Sequence, residues 1–215
     1  MQNTKENYEI GLPDHKVYLT EKGKEEAQQA GEFLLNYLVE NNIDLENSVM
    51  WVSPYERTRQ TANIINNIIK IPRVKEDITL IEQRYGLFSD KEIELIKELY
   101  PEEFKHYDNY YQNEGKFYAK LPQGESPYDV ALRTKQFIDT IYRDKEDTLF
   151  VVTHGTVIRT FILNFFHYSP EWYSKEPTPG NCSIRVIDSN DKDNSEYYIY
   201  NEPKKLIKNN PHICG

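Results

Sequence analysis

Only two of the 215 residues are cysteine, Cys182 and Cys214, and neither belongs to a CxxC pair or to a Cys/His cluster at zinc-ligand spacing. That scarcity argues against a disulfide-stapled scaffold or a structural metal and sets the expectation of a reduced, cytoplasmic protein. No apolar run approaches the ~18 residues a membrane-spanning helix needs. Asn181-Cys182-Ser183 fits a glycosylation triplet, but no signal peptide precedes it, so it is read as a chance match. Positive charge is in deficit, with 26 basic against 35 acidic residues and a formal charge of -9. General affinity for nucleic acid or for an anionic membrane is thereby disfavoured, while a phosphate held by a few local cations is still allowed. The GxGxxG of dinucleotide-binding folds and the GxSxG elbow of α/β-hydrolases are also missing, which sets both classes aside.

What is present is an alternation of strands and helices. Met1 to Leu19 has no periodicity and reads as loop, with Gly11-Leu12-Pro13-Asp14-His15 inside it. Thr20 is an N-cap for a helix reaching Asn41, whose apolar face is Ala27, Ala30, Phe33, Leu34 and Leu38. Val49 to Val52 is a strand that stops at Ser53, after which Pro54 opens a helix over Tyr55 to Lys70, broken by Pro72. Val74 to Ile81 reads as strand and Glu82 to Gly86 as loop. Helices follow over Asp90 to Tyr100 and Pro101 to Asn113, with an aromatic tail (Tyr107, Tyr110, Tyr111, Phe117, Tyr118) that resembles a lid. Ser126-Pro127-Tyr128-Asp129 is a strong helix start, with Ser at the N-cap, Pro at N1 and an acid at N3. Leu149 to Val152 is the most apolar strand, and the helix over Val157 to His167 is apolar enough to be buried. Strands over Ser183 to Asp188 and Glu196 to Asn201 flank a polar hairpin loop at Ser189 to Ser195.

The pattern defines an α/β fold with a mainly parallel sheet and a single domain over residues 1–202, followed by a tail at 203–215. Ligands in such sheets bind beyond the carboxyl ends of the strands. Three strands end in polar clusters: Ser53 and Arg57 after the first, Glu82 after the second, His154 after the third. A guanidinium matches phosphate oxygens, and a helix N-terminus adds unpaired N–H groups. Together with an imidazole and a carboxyl, this set points to phosphoryl chemistry. Singly, each residue is as well explained by solvation or by a structural hydrogen bond.

The segments LPDHKVYLTEKGKEEAQQAG (Leu12 to Gly31), SPYERTRQTA (Ser53 to Ala62), LIEQRYG (Leu80 to Gly86), GESPYDVALR (Gly124 to Arg133) and VVTHG (Val151 to Gly155) resemble, in order and spacing, the motifs of the histidine phosphatase superfamily, the phosphoglycerate-mutase-like proteins. The resemblance implies a three-layer α/β/α fold and phosphate transfer through a phosphohistidine, without metal or other cofactor, on a phosphorylated small molecule or phosphate ion. It implies that Arg57 clamps the phosphoryl oxygens, that His154 donates to them, and that Glu82 protonates the leaving oxygen. Ser53, His15, Thr156 and Asn181 become pocket wall or substrate contacts. Arg59, two residues beyond Arg57, points away from that pocket.

One family feature has no match. The Arg-His-Gly motif that carries the nucleophilic histidine on a central first strand is not in this sequence. Its loss is expected to leave a gap or an unpaired edge in the sheet. His106, His167 and His212 are not placed to replace the nucleophile, which leaves His15 and His154. As written, the chain is expected to be close to inactive, either because a segment carrying that strand is wanting or because the chain is a degenerate relative that binds a phospho-ligand without turnover.

Overall fold

The structure is a computed structural model and describes residues 12–188 and 196–203. The expected hairpin loop at Ser189 to Ser195 and almost all of the expected tail lie outside those residues. Two compact units are formed. One combines the chain up to Ile78 with Lys145–Val152 and the segment from Pro179, and the other combines Thr79–Asp144 with Thr153–Thr178.

In the first unit, Thr20 caps helix α1 (Glu21–Glu40) by accepting a hydrogen bond from the Gly23 amide. Strand β1 (Ser48–Val52) follows, then helix α2 (Glu56–Ile69) and a short strand β2 (Val74–Glu76). Strand β3 (Thr148–Val152) returns to pair with β1, giving a parallel sheet in the order β2-β1-β3, with Met50 facing Val74 on one side and Phe150 on the other. Buried on both faces, β1 reads as one continuous apolar run, as a central parallel strand does. Leu34 and Leu38 of α1 pack with Met50, Val52, Ala62 and Ile65 to form the core. Gly31 lets α1 approach α2 closely, because a Cβ there would lie 2.6 Å from Ile68 Cδ1 and 3.4 Å from the Ile65 Cα. Strand β3 is just as apolar but only half-buried, and Val151 is 36% exposed. Among the described residues β3 has a strand neighbour on one side only. Strands β4 (Ile184–Ile187) and β5 (Glu196–Tyr200) form their own antiparallel pair.

The second unit holds helices α3 (Ile93–Leu99), α4 (Pro101–Glu114), α5 (Pro127–Ile141), α6 (Gly155–Phe165) and α7 (Pro170–Lys175). Ser126 and Asp129 form the expected reciprocal capping box at the start of α5. Helix α6 packs on α5, and Asn164 fixes the pair by donating to the Ala131 carbonyl (2.7 Å) and the Thr134 hydroxyl (2.9 Å).

Several expectations are corrected. Pro54 lies ahead of α2, not inside it: Tyr55 is extended and its carbonyl accepts the first helical bonds, from Thr58 and Arg59. The strand expected to Ile81 ends at Glu76. The chain then turns through a 3-10 segment at Ile78–Leu80, whose Thr79 and Leu80 carbonyls accept from Arg133 and Thr153 side chains. The aromatic stretch is not a lid throughout. Tyr107 and Phe117 are buried, Tyr107 packing with Phe88 and Phe117 with Tyr173, while Tyr110 and Tyr118 are exposed.

Candidate active site

At the end of β1, Ser53 is fully buried and its carbonyl accepts from the Thr58 hydroxyl at 3.0 Å, which ties strand to helix. In the first turn of α2, Arg57 is 5% exposed, an expensive position for a cation unless it is paired. Its pairing comes from the Asp14 turn. Nη1 donates to the Asp14 carbonyl and to Oδ1, both at 2.8 Å, and Nη2 donates to Oδ2 at 3.4 Å. The guanidinium lies over the Tyr55 ring at 4.8 Å, and its Nε is buried without a hydrogen-bond partner. His15 is exposed, its ring edge-on to the same Tyr55. Gln60 holds the loop in place by accepting from the Leu19 amide at 2.9 Å. Arg59 points outward to an exposed bidentate pair with Glu76 (2.7 and 2.6 Å). Asn181 sits elsewhere in the same unit, on a recess of about 310 Å³ with Glu26, Gln29 and Cys182.

In the second unit, His154 is buried at the N-cap of α6, where its carbonyl accepts from the Ile158 amide at 2.9 Å. The preceding Thr153 donates to the Leu80 carbonyl at 2.8 Å, which stitches the His154 turn to the segment carrying Glu82. Glu82 accepts from the Gln83 amide at 2.8 Å through Oε1, and its carbonyl accepts from Arg133 at 3.2 Å. Thr156 donates to Gln83 Oε1 at 3.4 Å and shares a hydrogen bond with Tyr173. Burial pushes the Tyr173 hydroxyl upward; Arg159 opposes this and the Glu82 charge adds to it, so the group stays protonated at neutral pH. Thus Glu82, Thr156 and the His154 turn are brought onto one framework.

That framework depends on residues to which the sequence assigned no role. Buried Glu125 accepts from the Arg84 amide (2.9 Å) and from Arg133 Nε (3.2 Å), and Gln83 Nε2 donates to the Glu125 carbonyl (2.8 Å). Gly86, at φ +58°, crosses so close to Pro122 that a Cβ would lie 2.1 Å from its carbonyl oxygen. Gly124-Glu125 and Arg133 fall within a matched segment, and that was their only advance signal. Arg159 and Tyr173 carried none. Among the described residues no group of His, Cys, Asp and Glu is arranged to hold a metal ion, and no helix is long and apolar enough to cross a membrane.

A three-stranded parallel sheet linked through helices makes this an α/β scaffold. The family comparison names it: residues 3–201 match the model of the histidine phosphatase superfamily (branch 1), and the chain belongs to that family. It is 32% identical to the phosphoglycerate mutase-like protein AT74 of Arabidopsis thaliana over 191 residues, 82% of this chain and 57% of the relative, so it spans little more than half that relative's length. With AT74H of the same plant the identity is 28%, covering 91% of this chain and 72% of the relative. Among solved structures, the mycobacterial glucosyl-3-phosphoglycerate phosphatase in complex with inorganic phosphate shares the fold. Its TM-score is 0.66 at 17% identity, covering 90% of this chain and 91% of that one.

Proposed function

We propose that this chain carries most of a phosphomonoester hydrolase, residues 1–202 acting as one histidine-phosphatase domain whose phosphohistidine nucleophile is not encoded in this sequence. The observation that carries the reading is the buried His154 at a helix N-terminus, stitched by Thr153 to the Glu82 segment, in a chain of this family. In this reading Arg57 holds phosphoryl oxygens as a planar fork, with Ser53 and His15 beside it. His154 donates to the oxygens as charge builds, and Glu82 protonates the departing oxygen. Thr156 holds the wall and Asn181 contacts the rest of the substrate. Among the described residues β3 is paired on one side only, which leaves an edge that a further parallel strand could occupy. The lack of an Arg-His-Gly in the sequence favours a second reading, a phospho-ligand binder without turnover.

The test is to expose the 215-residue chain to p-nitrophenyl phosphate and to orthovanadate. The expected outcome is vanadate binding, weakened about a hundredfold in Arg57→Ala, together with negligible turnover and no acid-labile phosphohistidine. Prefixing a strand that ends in Arg-His-Gly then restores both turnover and labelling. Failure of vanadate to bind overturns the phosphate reading. Rapid turnover by the chain as it stands overturns the missing nucleophile, and a prefixed chain that binds but never labels favours the second reading.

A further inference from the structure

Glu82 stands in a stretch without regular secondary structure, yet the backbone groups on both sides of it are taken one after another. The Thr79 carbonyl accepts from Arg133 Nη1 at 2.6 Å, and the Glu82 carbonyl accepts from Arg133 Nη2 at 3.2 Å. The Arg84 amide donates to Glu125 Oε2 at 2.9 Å, and the Arg84 carbonyl accepts from the Glu125 amide at 2.8 Å. Between these, Gln83 Nε2 donates to the Glu125 carbonyl at 2.8 Å. Two residues, one just ahead of α5 and one within it, thus grip the chain before and after Glu82. None of these bonds goes to its carboxyl.

The same two residues pair with each other. Arg133 donates to Glu125 through Nε at 3.2 Å and Nη2 at 3.3 Å, with side chains only 14% and 7% exposed. A buried ion pair adds little stability over an apolar pair of similar volume, but a planar fork held by a carboxylate is a rigid spacer with fixed donor directions. Among the described residues, every side-chain hydrogen bond of Arg133 ends on Glu125 or on the Thr79 and Glu82 carbonyls. What these bonds place is shown by the next one along. Glu82 Oε1 accepts from the Gln83 amide at 2.8 Å. That amide belongs to the same peptide group as the Glu82 carbonyl held by Arg133.

We propose that Glu125 and Arg133 are positioning residues for Glu82. Because a peptide group is planar, fixing its carbonyl fixes its N–H, and that N–H holds the Glu82 carboxylate. The direction in which the carboxyl points is therefore set from α5. Through Gln83, whose Oε1 accepts from Thr156 at 3.4 Å, the pair also reaches the helix that begins after His154. That the aimed carboxyl serves a leaving oxygen rests on the proposed function; that the pair aims it does not.

The test reads the Gln83 amide proton of the full chain by NMR while Glu82 is titrated with acid. Donation to a carboxylate places that proton downfield, and protonating the carboxyl withdraws the displacement. The response is assigned to Glu82 through its loss in Glu82→Gln. Arg133→Lys keeps the charge without the fork, and Glu125→Gln keeps the shape without the charge. In each, the pH-dependent displacement is expected to fall to about half or less, while the Asp129 amide, which donates to Ser126 Oγ, behaves as in the wild type. Either variant suffices where the other fails to fold. A merely structural pair would lower the urea midpoint and leave the Gln83 response of the folded chain unchanged. That result, or a wild-type Gln83 amide that does not respond to Glu82, overturns the proposal. Inorganic phosphate separates the two readings. If it shifts the Gln83 amide of the wild type, both stand; if it does not, while the variants still flatten the pH response, the positioning stands and the assignment of Glu82 to the leaving oxygen fails.

Discussion

Asp14 and Arg57 decide what the first unit offers to a ligand. The three bonds to Asp14 take three of the five guanidinium N–H donors of Arg57, two of them on Nη1. A phosphoryl group gripped by the whole fork takes over part of it from a carboxylate, the two being rival acceptors for one cation. Asp14→Asn keeps the backbone carbonyl and one side-chain acceptor but removes the competing charge. It is expected to tighten orthophosphate binding by about three- to tenfold, measured calorimetrically, while costing about 1–2 kcal/mol of stability in urea unfolding. Weaker binding in that variant would make Asp14 a supporting partner of the phosphate site, not its competitor. Arg59, two residues on, carries the same charge but already satisfies it with Glu76 in solvent, where such pairs contribute little.

Among the elements, helix starts were the most legible part of the sequence and strand ends the least. Thr20 and Ser126 announced their helices because capping is a local matter of one side chain and the next turn. The capping box at α5 also makes a pH-dependent contribution. Burial alone would raise the Asp129 carboxyl, but the Ser126 amide and hydroxyl and the Lys120 ammonium outweigh it, so Asp129 titrates below the usual carboxylate range. A folded-state pKa below the unfolded value stabilises above about pH 4 and loses that contribution as pH falls. Ser126→Ala should therefore cost about 1 kcal/mol at pH 7, with the difference from the wild type shrinking at pH 3.5 in urea melts. An undiminished difference would mean that Asp129 takes no part in the cap. The end of β2, by contrast, is set by the Arg133 and Thr153 side chains, which come from about 50 and 70 residues further along and turn Thr79 and Leu80 away from the strand. Apolar alternation could not foretell that. Nor could it separate Tyr107 and Phe117, which pack inside, from Tyr110 and Tyr118, which do not: the stretch is aromatic on every face.

At the scale of the molecule, the family was readable because its motifs are local signatures: Arg57 and His154 stand just past strand ends, and Glu82 follows the Ile78–Leu80 turn. The supporting network of Gln83, Glu125, Arg133 and Gly86 was not readable, since its logic lies in backbone carbonyls and close approaches that leave little trace in residue type. The central claim is that His154, stitched through Thr153 to the segment carrying Glu82, serves a phosphoryl group. The direct measurement is orthovanadate affinity in His154→Ala, with urea unfolding as the control for folding. The account predicts a loss of at least about tenfold. A His154→Ala variant that folds and binds vanadate as the wild type does would contradict it.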